Sequence, residues 1–304
     1  MQSIIKSFTV LLLLFVLAAG CKKEEALTPS EKKENVYGDY SLPQGNHPYD
    51  ADIVQLFRKY NTLFLYKYVS HDLYYQVGDF TGGTYDAVKD SVTRYGYFDV
   101  PADEAYVGKQ LDLLKNTWLK FYPDSILTAM LPKKVFLLDS IYFANMGAGK
   151  PIDNIDFSHF PDTYTGEDFI AVTWGGARLD AMSADRKYTY KSAVNTTFLT
   201  MARQKGLITR SGAFTALTDY KSVNWANYNE MGVIDWLSTS PDVDWDTFVT
   251  TIVSNTYDQL TSPGGVLSPD VDTKGLIRKK YDIMIAYFQS VYGIDLQAIG
   301  NATY

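Results

Sequence analysis

Cysteine is almost absent. The 304-residue chain holds one, Cys21, which excludes an intrachain disulfide and any thiolate metal cluster. Histidine is scarce as well. His47, His71 and His159 lie far apart, and none has a second His three or four residues away, the spacing at which one helix presents two imidazoles to zinc. A metal site made from them would have to be assembled by folding, with carboxylates completing it. No G-x-S-x-G occurs, so a nucleophile elbow has no support. The stretch "GAGKP" at residues 147–151 lacks the earlier glycine of a phosphate loop and has Pro151 where Ser or Thr must follow Lys150, so it reads as an ordinary loop. Positive charge is also short: 28 Lys and Arg face 35 Asp and Glu, a formal net of −7. Such a surface repels phosphate backbones and excludes nucleic acid as a partner. No repeat with a period of 20–50 residues is present.

The first residues carry the most specific signal. Lys6 precedes an uncharged run from Phe8 to Ala19, apolar but for Thr9, then Gly20 and Cys21. The run is too short to span a bilayer, which takes roughly 20 residues, and has the form of a secretory signal peptide covering residues 1–20. Its end, "VLAAGC", resembles a bacterial lipobox, with Ala18 where Leu is commoner. Cys21 is therefore the expected lipid attachment site and first mature residue. The "KKEE" that follows resembles the acidic tag carrying lipoproteins of some Gram-negative bacteria to the outer leaflet of the outer membrane; it also reads as a plain solvated charge run. Residues 21–48 are polar and contain Pro29, Pro43 and Pro48, a composition expected of a flexible tether. Residues 49–304 are the expected domain, anchored to an outer membrane at the cell surface without spanning it.

Within that domain, periodicity predicts a helix over residues 51–60, a strand over 63–68, and a helix over 103–121 with Leu111, Leu114, Trp118 and Phe121 on one stripe. The apolar runs "KKVFLLDSIYFAN" and "DFIAVTW" predict strands over 133–145 and 168–174. Helices are expected over 190–205, 227–237, 244–257 and 273–292. Strands first and helices later imply an α+β fold, a small mixed sheet in the N-terminal half followed by a mainly helical half. "SPDVD" occurs at residues 240–244 and again at 268–272, which reads as repeated helix-start chemistry, with Asp capping free N–H groups. Asp242, Asp244 and Asp246 alternate like the start of a calcium loop, but Thr247 and Val253 stand where Gly and Glu are needed, so a capped helix start is the expectation. The 24 Tyr and 5 Trp suit core packing and leave open a role in stacking on sugars or anchoring partners.

The segments "YDADIVQLFRKYNTLFLYKY", "WLKFYPDSILTAMLPKKVFLLDS" and "GVIDWLSTSPDVDWDTF", in that order and spacing, resemble a family of zinc metallopeptidase lipoproteins associated with bacterial nutrient-import loci. The resemblance implies a zincin-like helical half. Active relatives carry H-E-x-x-H between the second and third pieces, since residues i and i+4 project from one helical face toward zinc and the Glu takes a proton from the metal-bound water. Here the matching stretch is T-T-F-L-T: the two metal-ligand positions fall on Thr196 and Thr200 and the proton-acceptor position on Thr197. The later acidic position falls on Trp245 or Thr250. The expectation is a chain without catalytic residues, zinc or any other cofactor, binding a peptide, a glycan or a partner protein, for example an outer-membrane transporter complex. The alternative is an active metal-dependent hydrolase with an atypical site.

Overall fold

A computed structural model describes residues 40–69, 72–73, 85–86, 91–92, 96–144 and 161–304. Cys21, the signal and acidic tag, His71, His159 and the "GAGKP" loop lie outside the described residues. The described chain forms one unit from Tyr40 to Tyr304. Its docked part thus starts ahead of the Tyr49 boundary set from composition, because the Gln44 side chain accepts from Tyr66 N–H (3.0 Å) and Leu42 packs against the core.

Helix α1 (Pro48–Tyr60) begins with Pro48 in its first turn and the Asp50 carboxylate accepting from His47 N–H at 2.8 Å. It ends at Asn61, whose φ of 56° is left-handed. The strands β1 (Leu63–Leu65), β5 (Lys134–Ala144) and β7 (Phe169–Val172) run parallel, while β6 (Thr163–Thr165) closes the edge antiparallel to β7. Between β1 and β5 come a two-residue ladder, β2 (Tyr85–Asp86) with β3 (Ser91–Val92), and β4 (Gly96–Pro101), which pairs antiparallel with the second half of β5.

The continuous apolar runs are explained by burial on both faces, as parallel strands require. Val135, Phe136, Leu137 and Leu138 of β5 and all four residues of β7 are fully buried. Alternate residues separate the faces: Phe64, Val135, Leu137, Ile170 and Val172 join the main core, whereas Phe136 meets Phe169 and Tyr68 on the other side (5.2 and 4.9 Å).

Helix α2 (Val107–Thr117) buries Leu111 and Leu114 as predicted and gives way at Trp118 to a 3₁₀ turn at Leu119–Phe121. Its Gln110 donates to the carbonyls of Leu138, Val172 and Thr173, tying the ends of β5 and β7 together. Helix α3 (Asp124–Met130) was not legible from periodicity. After β7 the chain is helical: α4 (Ala184–Gln204), α5 (Gly212–Thr215), α6 (Pro241–Ser254), α7 (Tyr257–Thr261), α8 (Leu276–Tyr287) and α9 (Leu296–Asn301). The α+β reading holds. No helix among the described residues is long and apolar enough to cross a membrane.

Three sequence expectations need correction. Helix α4 starts six residues before Tyr190, at Ala184, because Ser183 accepts from Arg186 N–H (3.2 Å) and caps a polar first turn that carries no apolar stripe. Residues 227–237 form turns instead of a helix; Gly232 there has φ of 75°, a conformation helices do not contain. The second "SPDVD" does not open a helix directly. Asp272 instead reaches forward, accepting from Ile277 N–H (3.1 Å) and Arg278 N–H (2.7 Å) in the first turn of α8.

Candidate functional site

Helix α4 is buried on most of its circumference, through Tyr190, Lys191, Val194, Asn195, Phe198, Leu199 and Ala202. Phe198 packs edge-on against Trp118 (5.5 Å) and Tyr122 (4.9 Å). Thr196, Thr197 and Thr200 are half-buried on the remaining face. They are neither sealed in the core nor splayed into an open groove. Thr197 Oγ1 shares a hydrogen bond of 2.7 Å with Thr163 Oγ1, at the start of the edge strand β6. Thr197 is thus a packing joint between helix and sheet.

The donor chemistry at these positions does not suit zinc. Neutral hydroxyls are poor zinc ligands at neutral pH, and one of the three is committed to Thr163. Neither place for the later acidic residue helps. Trp245 is buried between Phe214 (5.0 Å) and Phe288 (5.7 Å), and Thr250 is a solvent-exposed hydroxyl. The residues present do not fit a catalytic zinc. Among the described residues no group of three His, Cys, Asp or Glu is placed to hold a metal. His47 sits at the surface, its Nε2 2.8 Å from Glu104 and its ring stacked on Tyr49 at 4.9 Å.

The alternating aspartates of α6 diverge. Asp246 takes a two-pronged contact from Arg203 of α4 (2.5 and 2.6 Å), Asp242 pairs with Arg203 and Arg210, and Asp244 turns inward. They do not converge on a cation, and the cap of α6 is Ser240, which accepts from Val243 N–H (3.4 Å). Capping explains the serine, whereas ion pairing explains the aspartates.

Asp244 belongs to a group that sequence reasoning missed. Its Oδ2 lies 2.5 Å from Lys280 Nζ and accepts from Tyr220 OH at 2.8 Å, with both charged side chains fully buried. Burial pushes the Asp244 carboxyl up and pulls the Lys280 ammonium down, and their contact opposes both shifts. Lys280 also lies over the rings of Phe214 (4.8 Å) and Tyr220 (5.2 Å). A second buried lysine, Lys191, has no carboxylate among its hydrogen-bond partners. It donates to Val253 O (3.0 Å), Ile299 O (2.7 Å) and Gly300 O (3.3 Å), capping the C-terminal ends of α6 and α9, where a cation suits the helix dipoles. Burial pulls its ammonium down to about 8. No periodicity announces either lysine.

At the end of β7, Trp174 adopts φ of 77°, rare for a bulky residue. Its indole N–H donates to Asp162 (2.9 Å), and the guanidiniums of Arg178 and Arg186 lie over the ring at 5.2 and 4.8 Å. Gly175 and Gly176 follow because a Cβ at either would collide with Gln110 or Asp139.

Among the surface clefts walled by described residues are these three. The first, about 490 Å³, lies between α1 and α2 with Lys59, Lys115, Tyr60 and Asp124; the second, about 460 Å³, includes Lys109, Asp180 and Tyr304; the third, about 360 Å³, includes Arg203, Arg210 and Asp242. Thr196, Thr197 and Thr200 line none of these three. Each cleft holds an internal ion pair, Lys59–Asp124 (2.8 Å), Lys109–Asp180 (2.5 Å) and Arg210–Asp242 (2.7 Å) respectively.

No family model and no curated protein matches the chain. Among solved structures it is similar to a crystal structure from Bacteroides caccae described as a "putative zinc-binding metallo-peptidase". The identity is 15%, the TM-score is 0.49, and the match covers 84% of this chain and 91% of that one. The match assigns no activity to this chain.

Proposed function

We propose that the protein is a surface-tethered lipoprotein whose metallopeptidase-like domain has lost its catalytic centre and serves as a binding subunit. It holds a peptide, a glycan or a partner protein in service of a nutrient-import system, attached to the outer membrane through an acylated Cys21. One observation carries this reading: Thr197, at the position of the catalytic Glu, is tied to Thr163 at 2.7 Å and flanked by half-buried Thr196 and Thr200, with no acidic side chain at either later ligand position. Binding needs shape and a few polar groups, so it outlasts the loss of catalytic residues.

Metal analysis of the purified chain, after equilibration with zinc and gel filtration, tests it. Less than stoichiometric zinc is expected, with no hydrolysis of a casein substrate. One equivalent of zinc, removed together with hydrolysis by substituting His47, His71 or His159, would establish the atypical hydrolase instead.

A further inference from the structure

The five tryptophans divide by environment. Trp118 and Trp245 are buried, Trp174 is covered by two guanidiniums, and Trp225 and Trp236 are 76% and 49% exposed. The exposed pair lies on the 25-residue connection between α5 and α6, residues 216–240. A connection of this length without secondary structure is uncommon in a compact domain and is characteristic of binding loops.

This loop is fastened. Asn224 N–H donates to Asn227 Oδ1 (2.8 Å), Asn227 Nδ2 to Ser222 O (2.9 Å) and Thr218 Oγ1 to Met231 O (2.7 Å). Glu230 pairs with Lys274 at 2.8 Å. Gly232 abuts Leu276 so closely that a Cβ would lie 2.8 Å from it. Tyr220 ties the loop's first half to the buried Asp244–Lys280 pair. The loop therefore holds Trp225 in water on a fixed backbone.

On the run of turns at 225–232, Trp225, Tyr228 and Asn229 have side chains with no hydrogen bond or ring contact among the described residues. An aromatic face, a phenol and an amide, all uncharged, are thus left for a ligand. The loop's acidic Asp219, Glu230 and Asp235 are engaged locally, with Ser222 (2.7 Å), Lys274 (2.8 Å) and Leu237 N–H (3.0 Å), so no patch of one sign selects an ion. A protein partner would call for a broader contiguous apolar area; the loop's other exposed large apolar side chains, Trp236 and Leu237, lie eleven and twelve positions further on, and Trp225 itself stands between Asn224 and Ala226.

We infer that the 216–240 loop is a carbohydrate-binding site: a neutral pyranose stacks its C–H face on Trp225, and its hydroxyls bond to Tyr228 and Asn229. This rests on the binding-subunit reading and names its ligand class. The test is indole fluorescence of the purified full chain in mild detergent, titrated with four neutral hexasaccharides: β-1,4-glucan, α-1,4-glucan, β-1,4-xylan and β-1,4-mannan. At least one is expected to protect an exposed indole from acrylamide saturably, and Trp225→Ala to weaken that binding about tenfold or more with the melting temperature unchanged. Trp225→Phe should restore part of it. Protection by none of the four, or protection that survives Trp225→Ala, overturns the assignment. A chain that instead uses Trp225 to retain a protein from the same membrane, without glycan protection, also overturns it. Bound zinc would refute the binding-subunit reading through a separate measurement; glycan failure without zinc refutes the carbohydrate site alone.

Discussion

The sheet and the helical half are equally well buried, by different chemistry. In β5 and β7 the eight innermost residues, Val135 to Leu138 and Phe169 to Val172, are fully buried and apolar. In the helical half Lys191, Asn195, Asp244 and Lys280 are buried just as deeply. Each finds partners distant in sequence: Asn195 bonds to Tyr122 OH (2.7 Å) and Thr117 O (2.7 Å), and Lys280 to Asp244 (2.5 Å). An apolar core tolerates any occupant of suitable volume, whereas a buried charge accepts only its own partner. The helical half is thereby the more specified of the two.

The largest effect should come from removing one member of the buried pair. Asp244→Ala strands Lys280 in the core, and urea unfolding should show a loss of about 3–5 kcal/mol, while Asp244→Leu combined with Lys280→Met should recover most of it. A single substitution costing under about 1 kcal/mol would mean that water reaches the pair, and the contrast between the halves would fall. In the sheet, Leu137→Ala should cost about 3 kcal/mol through lost transfer energy and a cavity, and polar partner changes nearby should not repair it.

Lys191 gives a smaller and pH-dependent effect. With its folded-state pKa pulled to about 8 from 10.5, the folded chain sheds this proton between those values while the unfolded chain still holds it. The unfolded state then binds more protons, so this residue's contribution to stability rises with pH across the window from about 8 to 10.5. Lys191→Met should be less stable by about 1–2 kcal/mol near neutral pH, from the carbonyls left unpaired, and the deficit should widen from pH 8 to 10.5. Melting curves of the two proteins side by side measure it. A deficit constant over that range would show that the carbonyls hold Lys191 charged. Tyr122 and Tyr190, whose phenols burial pushes well up, lower the stability of both proteins above pH 10 and cancel in the difference.

How much was legible follows from this contrast. The runs "KKVFLLDS" and "DFIAVT" announced strands because both faces of a parallel strand are apolar. The start of α4 was misplaced because its first turns face solvent and depend on Ser183. The turns at 227–237 were mistaken for a helix because Met231, Val233 and Ile234 imitate an apolar period that Gly232 breaks. At Thr196, Thr197 and Thr200, the positions to which the resemblance points, the sequence supplied the residue types, three hydroxyls in place of good zinc donors. It did not supply Thr163 as the partner of Thr197, which lies 34 positions away, nor the partition of Asp242, Asp244 and Asp246 among Arg203, Arg210 and Lys280.

By itself the sequence determined the class of the fold and three of the five strands of the sheet, β1, β5 and β7, because apolar periodicity is a local property of the chain; the short β4 and β6 carry no such run. It also determined which donors the motif positions lack, because that is residue identity. Only the tertiary structure decided that a lysine at 191 caps two helices, that Asp244 is a core residue while Asp246 is not, and that Trp225 stays in water while Trp245 does not. Those outcomes depend on which distant groups arrive beside each side chain, and the energy of a charge or an indole is set by that company.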